Sequence, residues 1–334
     1  MTGIAAASVI DVHAHVVLDA SMGMAGPFGP EIGAAPDGTP TFRVGDYTLV
    51  GVRYRGSAFM DPAVRLLRMD EAGIDFQLLS PNPLTYFSHI AGPEAIAFCR
   101  AHNDALAATL AAHRGRLAGV AALPTQDLGA SVEELHRAVT DLGLWGAQIG
   151  TDNTTPLHAP AFDALYDACV KLDVPLLIHP APAGLDGPPG DPNLKRFDLD
   201  LVAGFASQET IAAATLVFGE VLLRHPTLDV CMSHGGGTIA FLAGRLAQAA
   251  RKRPWAPASL RPDGAFEAML AKLWFDTHVN DDLSLELLER RVGTERLVYG
   301  TNFAGWDAPD RAHHAPPAPY LADNARRLLR QTAT

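Results

Sequence analysis

The stretch Val9-Ile-Asp-Val-His13-Ala-His15-Val16 decides how this chain is to be read. It is an apolar run of strand length carrying two imidazoles two residues apart, and residues i and i+2 of a strand project from one face. Working outward, seven more Val/Ile/Leu-rich runs follow, at Phe76–Ser80, Leu117–Leu123, Ala147–Gly150, Pro175–His179, Leu228–Ser233, Leu273–Thr277 and Leu297–Gly300. The segments between them have helical period: Pro62–Ala72, Pro93–His113, Ser131–Leu142, Pro160–Leu172, Gln208–Arg224, Thr238–Arg251 and Leu283–Arg291, with Tyr320–Leu329 closing the cycle. Eight strands each followed by a helix predict an α/β fold, a closed (β/α)8 barrel of TIM type whose reactive groups sit at the C-terminal strand ends. An open doubly wound sheet is the alternative. Against it, no strand runs into GxGxxG or GxxxxGK[ST], although Gly235–Gly237 are three consecutive glycines.

With 334 residues, 48% of them hydrophobic and 19% charged, the chain can bury a large core, and one domain over residues 1–334 is expected. Its 37 acidic against 26 basic side chains give a net charge of −11 with no Lys/Arg-rich tract, which argues against a nucleic-acid surface. Cys99, Cys169 and Cys231 are widely spaced and form no CxxC pair, so neither a disulfide framework nor a thiolate zinc site is indicated. Met1–Ser8 has no basic signal-peptide start and no later apolar run is long enough to span a bilayer, so a cytoplasmic protein without membrane contact is expected. Three stretches rich in Gly or Pro read as irregular: Leu18–Gly56, Pro180–Phe205 and Lys252–Phe266. The first two follow strands 1 and 5 and would overhang the barrel mouth, residues 18–56 as a lid or substrate wall. Pro316, Pro317 and Pro319 mark an extended connection before the last helix.

The chemistry concentrates at strand ends. His13 and His15 offer two rings to one ion, and His179, closing Pro-Leu-Leu-Ile-His-Pro, is placed to be a third ligand. Three imidazoles suit a borderline cation such as Zn²⁺. His234 lies in Val-Cys-Met-Ser-His-Gly-Gly-Gly, where the glycines let backbone approach a ligand and an imidazole can take or give a proton near neutral pH. At the end of the eighth run, Leu-Val-Tyr-Gly-Thr-Asn302-Phe puts an amide where a carboxylate would complete a metal site; its oxygen is neutral and cannot offset the ion's charge. Asp276 and Asp307 are the candidate substitutes, the first reading as a histidine's hydrogen-bond partner and the second as a loop surface residue.

Taken together, the HxH pair, His179, His234-Gly-Gly-Gly with Gly244-Arg245, and the stretches Met60–Gly73, Gly92–Asn103, Gly146–Thr151 and Gln208–Ala213 resemble the family-2 amidohydrolases across almost the whole chain. His at both positions of the strand-1 motif is more similar to the aminocarboxymuconate-semialdehyde decarboxylase branch than to aromatic decarboxylases with Glu there. The resemblance implies one divalent ion on His13, His15, His179 and the position of Asn302, with Zn²⁺ favoured and Mn²⁺, Fe²⁺ or Co²⁺ compatible. It implies His234 as acid/base, Arg53 or Arg55 as the substrate arginine of the same subunit, and Arg245 as the arginine given to a neighbouring subunit, hence a homodimer. The implied reaction is non-oxidative decarboxylation of a conjugated or aromatic small-molecule carboxylate. Hydrolysis or hydration by the same site is the alternative, and a catalytically degenerate scaffold the second. The departure from the family pattern is Thr301-Asn302-Phe303 where Ser-Asp-Tyr is usual.

Overall fold

Short buried runs cannot satisfy their backbone alone, and they do so here by pairing side by side under a cover of helices. The computed structural model describes residues 3–308 and 317–332, so Pro316 lies outside the described residues. Twelve strands occur among them: β1 Ile10–Val16, β2 Glu31–Ala34, β3 Pro40–Val44, β4 Tyr47–Val50, β5 Phe76–Pro81 and β6 Leu117–Gly119. The remainder are β7 Ala121–Ala122, β8 Ala147–Gly150, β9 Leu176–His179, β10 Val230–Met232, β11 Trp274–Asp276 and β12 Leu297–Val298.

The parallel strands run in the order β1-β5-β6 and β7-β8-β9-β10-β11-β12. β6 and β7 are one apolar run parted at Val120, whose N–H donates to the Leu79 carbonyl (2.9 Å) while the Ala121 N–H donates to Gly146 (2.9 Å). At the other seam the Val12 N–H donates to the Tyr299 carbonyl (2.9 Å), the Phe303 N–H donates to the His13 carbonyl (3.2 Å), and Ala14 pairs with Phe303. The ring therefore closes as the eight-stranded parallel barrel read from the sequence, and its C-terminal rim brings His13, His15 and His179 to one end.

Helix boundaries follow their caps. Asp61 accepts from the Ala63 and Val64 N–H groups, Pro62 takes the first turn and Gly73 ends the helix at φ +54°, so Pro62–Ala72 is a helix with the bounds expected. The expected Gln208–Arg224 helix is two, Gly204–Phe218 and Val221–Arg224, broken where Glu220 takes φ +56°. The residue before it must be small: a Cβ on Gly219 would lie 2.2 Å from Cβ of His158.

The larger correction concerns residues 18–56. They are not irregular, because β2, β3 and β4 form an antiparallel three-stranded sheet with Phe42 opposite Leu49 and Ile32. Along β3, Phe42 and Val44 are buried and Thr41 and Arg43 are not, the period-2 alternation of a half-buried strand. Phe42 and Val44 join Val17, Tyr54, Leu84 and Phe87 in a core of their own. Tyr54 Oη accepts from Asn82 Nδ2 (3.3 Å), which pins this sheet beside the C-terminal end of β5. Residues 180–205 and 252–266 carry only short helical turns, at Pro192–Asp198, Leu199–Val202 and Ala258–Leu260. Among the described residues no single helix is long and apolar enough to cross a membrane.

Phe42 is fully buried. Phe42→Ala is expected to cost about 3–5 kcal/mol in equilibrium denaturation, the penalty of a large core truncation, whereas a side chain in a loose lid would lose about 0.5 or less.

Candidate metal centre

β1 is buried along its whole length, so the two histidines on one of its faces have no route to water and must find partners inside. They find them with one ring nitrogen each. His13 Nδ1 donates to Asp276 Oδ2 (2.7 Å) and His15 Nδ1 donates to the Pro81 carbonyl (3.0 Å). His179, the last residue of β9, directs Nδ1 to the Pro180 carbonyl (2.7 Å). A carbonyl accepts only, and Ser80 Oγ, also 3.0 Å from His15 Nδ1, has the Ala14 carbonyl to donate to, so in His15 and His179 the proton sits on Nδ1 and Nε2 is a bare lone pair. These two Nε2 atoms are 3.2 Å apart, and His13 Nε2 has no partner at all. One nitrogen from each of the three rings falls within 4.8 Å of the others.

Two lone pairs held at that distance repel unless a cation lies between them. The three rings fit a divalent metal: each is anchored through Nδ1 and presents Nε2, the arrangement that fixes a ligating imidazole. Burial holds all three neutral, the form that binds metal, with the neighbouring rings adding to the effect; His15 is pushed down to about 3, and His13 and His179 fall well below the usual histidine range.

A second layer surrounds them. His234 follows β10, and its ring lies 4.9 Å from those of both His13 and His179. Its Nδ1 contacts Glu209 Oε1 (3.2 Å), and Ser233 Oγ donates to the same oxygen. Burial alone would lower His234, but the charge of Glu209 and their hydrogen bond, helped by Asp276 and Asp307, raise it to about 9. Burial raises Glu209 in turn, to about 7 against the pull of His234. Asp276 binds three groups: His13 Nδ1, and the N–H groups of Gly235 (3.1 Å) and His278 (3.0 Å).

Two residues of this layer, His278 and Glu209, lie outside the sequence expectation, and one of them has a signal in the chain. Phe275-Asp276-Thr277-His278 repeats at strand 7 the two-apart polar pattern of strand 1, and His278 is buried with its ring 5.5 Å from His13 and 5.4 Å from His234. Glu209 is a lone acid in an apolar helix, and only the packing of that helix on the turn after β10 brings it to His234.

Other expectations change. Asp307 is not a surface residue: its side chain is 14% exposed and Oδ2 contacts His278 Nε2 (3.1 Å). Asn302 turns its Nδ2 to Asp307 Oδ1 (2.7 Å). The three glycines after His234 crowd protein, since a Cβ on Gly237 would lie 2.0 Å from the Ala206 carbonyl oxygen and one on Gly235 2.5 Å from Val279. Beside the rings lies a cavity of about 460 Å³ walled by His234, His278, Asn302, Asp307, Phe205 and Trp306. The arginines lie elsewhere: Arg53 lines a different cavity with Arg68, Arg55 pairs with Asp19 (2.8 Å) at the surface, and Arg245 is exposed on the helix Ile239–Lys252.

A family model described as amidohydrolase matches residues 10–333. The chain belongs to the amidohydrolase family. Among curated amidohydrolase relatives, a 2-amino-3-carboxymuconate-6-semialdehyde decarboxylase of Dictyostelium discoideum is 30% identical over 244 residues, covering 73% of this chain and 66%, just under two thirds, of that protein. Among solved structures, IDCase of Metarhizium anisopliae in its apo form superposes with a TM-score of 0.80 at 20% identity over 97% of both chains. A dihydroxybenzoic acid decarboxylase of Polaromonas sp., solved with manganese and the inhibitor 2-nitroresorcinol, gives a TM-score of 0.72 at 19% identity, covering 99% of this chain and 97% of that one. At such identities the two structures speak for the amidohydrolase barrel alone.

Elemental analysis of the purified chain is expected to find one divalent ion per chain, and His179→Ala to lose it. Saturating metal at 100 times Kd should stabilise the native chain by about 2.7 kcal/mol and leave His179→Ala unmoved in thermal denaturation.

Proposed function

We propose that this amidohydrolase is a metal-dependent, non-oxidative decarboxylase of a conjugated or aromatic carboxylic acid. The observation that carries the reading is the placement of His234, a histidine backed by a buried carboxylate, at the wall of a cavity and one ring away from three converging imidazole nitrogens. Loss of CO₂ leaves an electron pair on carbon, so the site must stabilise negative charge and then deliver a proton. His234 does the second, with Glu209 holding the ring through Nδ1 so that Nε2 carries the proton toward the cavity. His13, His15 and His179 would hold the ion, which when bound supplies a Lewis acid for the substrate's oxygens. A conjugated or aromatic acid suits this arrangement because its π-system spreads the charge, and a cavity of about 460 Å³ walled in part by Phe205 and Trp306 accepts a small planar molecule.

Finer assignments belong to the same reading. Zn²⁺ suits three neutral imidazoles, Mn²⁺ is what the Polaromonas structure holds, and Fe²⁺ or Co²⁺ would bind the same donors. Asn302 has only its amide oxygen left to offer an ion, its Nδ2 being on Asp307. Arg245 faces outward from its own barrel, which supports a homodimer in which it meets the substrate carboxylate of the other subunit. Arg53 and Arg55, in the segment 18–56 expected to wall the mouth, remain the candidates for a substrate arginine of the same subunit, although Arg53 lines another cavity and Arg55 pairs with Asp19.

Incubation of the metal-loaded chain with a panel of aromatic and conjugated acids is expected to release CO₂ without incorporating solvent oxygen into the product; oxygen incorporation would instead favour hydration or hydrolysis. His234→Asn should lower kcat by about 10²–10⁴ while its metal content stays native.

A further inference from the structure

Three neutral imidazoles can hold a divalent ion but cannot offset its charge, and an uncompensated dication in a buried site is costly. Some carboxylate near the rings must answer it. Four stand close by, and three of them do not line the cavity. Asp11 accepts from Gln77 Nε2 (2.8 Å), from the Thr301 hydroxyl (2.7 Å) and from the His13 N–H (3.0 Å). Asp276 is taken by His13 Nδ1 and two backbone N–H groups. Glu209 lies behind His234, on the Nδ1 side of that ring.

Asp307 differs. It lines the cavity, and a carboxylate oxygen lies within 4.8 Å of ring nitrogens of both His234 and His278, whose rings are themselves 4.9 and 5.4 to 5.5 Å from His13 and from one another. Its position is built. Asn302 takes φ +46° and its carbonyl accepts from the Gly305 N–H (2.7 Å), a tight turn that returns the chain so that Asn302 Nδ2 meets Asp307 Oδ1. The turn requires glycine, since a Cβ at Gly305 would lie 2.7 Å from Asn302. His278 holds the other oxygen from a buried position of its own.

The geometry points to Asp307 as the carboxylate that balances the ion held by His13, His15 and His179, with Asn302 and His278 as the residues that position it. The inference rests on the metal reading given under Proposed function. It also accounts for the amide at 302. A carboxylate there would face Asp307 across 2.7 Å, and two like charges at that distance cannot both stay ionised, so the chain keeps one anion and gives it a neutral donor.

The test is metal affinity, measured on chelator-stripped full-length chain by competition of Mn²⁺ and Zn²⁺ against a chromogenic chelator, with circular dichroism to confirm folding. Asp307→Asn should weaken binding about 10–100-fold, the scale of losing a residue that supports a metal site. The double variant Asn302→Asp/Asp307→Asn moves the charge across the same hydrogen bond and should recover affinity to within a few-fold of native. Native-like affinity of Asp307→Asn overturns the assignment, and so does failure of the double variant to recover, which would make Asp307 a support of the loop and not a source of charge. A native chain that takes up no divalent ion overturns the metal reading itself, and this inference with it.

Discussion

His15 and His179 present bare Nε2 atoms to each other at 3.2 Å, and the rest of this structure is arranged to make that approach unavoidable. The two residues are 164 apart in the chain. What brings them together is the closure of a parallel barrel, in which every strand end reaches the same rim. Each ring is then locked by a carbonyl on Nδ1, so neither can rotate away or change tautomer without leaving a buried donor unpaired. The repulsion is thus a stored requirement for a cation, and it makes the fold and the metal site one problem.

The seam that closes the barrel carries a polar network to match. Asp11 of β1 accepts from Gln77 on β5 and from Thr301 after β12, while Arg65, reaching in from the helix Pro62–Ala72, donates to Gln77 Oε1 (2.6 Å) and to the His15 carbonyl (2.5 Å). A buried arginine and a buried aspartate are costly separately. Linked through Gln77, they tie β1 to both neighbours at the point where it delivers its histidines. On the opposite flank Asp276 does comparable work, since one carboxylate orients His13, the turn after β10 and the segment after β11 that bears His278. His234 thus has a buried carboxylate, Glu209, against its Nδ1, whereas His15 and His179 have only neutral carbonyls there, and that difference favours a charged ring at 234 and neutral rings at 15 and 179.

Much of this was legible in the linear chain. Eight apolar runs at barrel spacing, the HxH pair and a polar ring at each of two later strand ends led to the fold and to four of the five clustered histidines. Asp276 was also read as a histidine's partner, and it is His13 that it meets. Residues 18–56 read as irregular because their glycines and prolines are prominent, while the alternation that makes β3 a strand is confined to Thr41–Val44. His278 was passed over for a similar reason: a histidine one position beyond an apolar run looks like the start of a loop.

The sequence by itself determined which residues lie in the barrel strands and therefore which imidazoles those strands turn inward, because period-2 projection and burial are local properties that need no knowledge of the partner. Only the tertiary structure decided which charges those imidazoles meet. Glu209 reaches His234 from the middle of a helix, Asp307 returns to His278 by way of a tight turn, and Arg53 and Arg55 lie away from the cavity. Electrostatic pairing acts through space over a few ångströms, and neighbours at that range are set by how helices pack on a closed ring, which no spacing along the chain encodes.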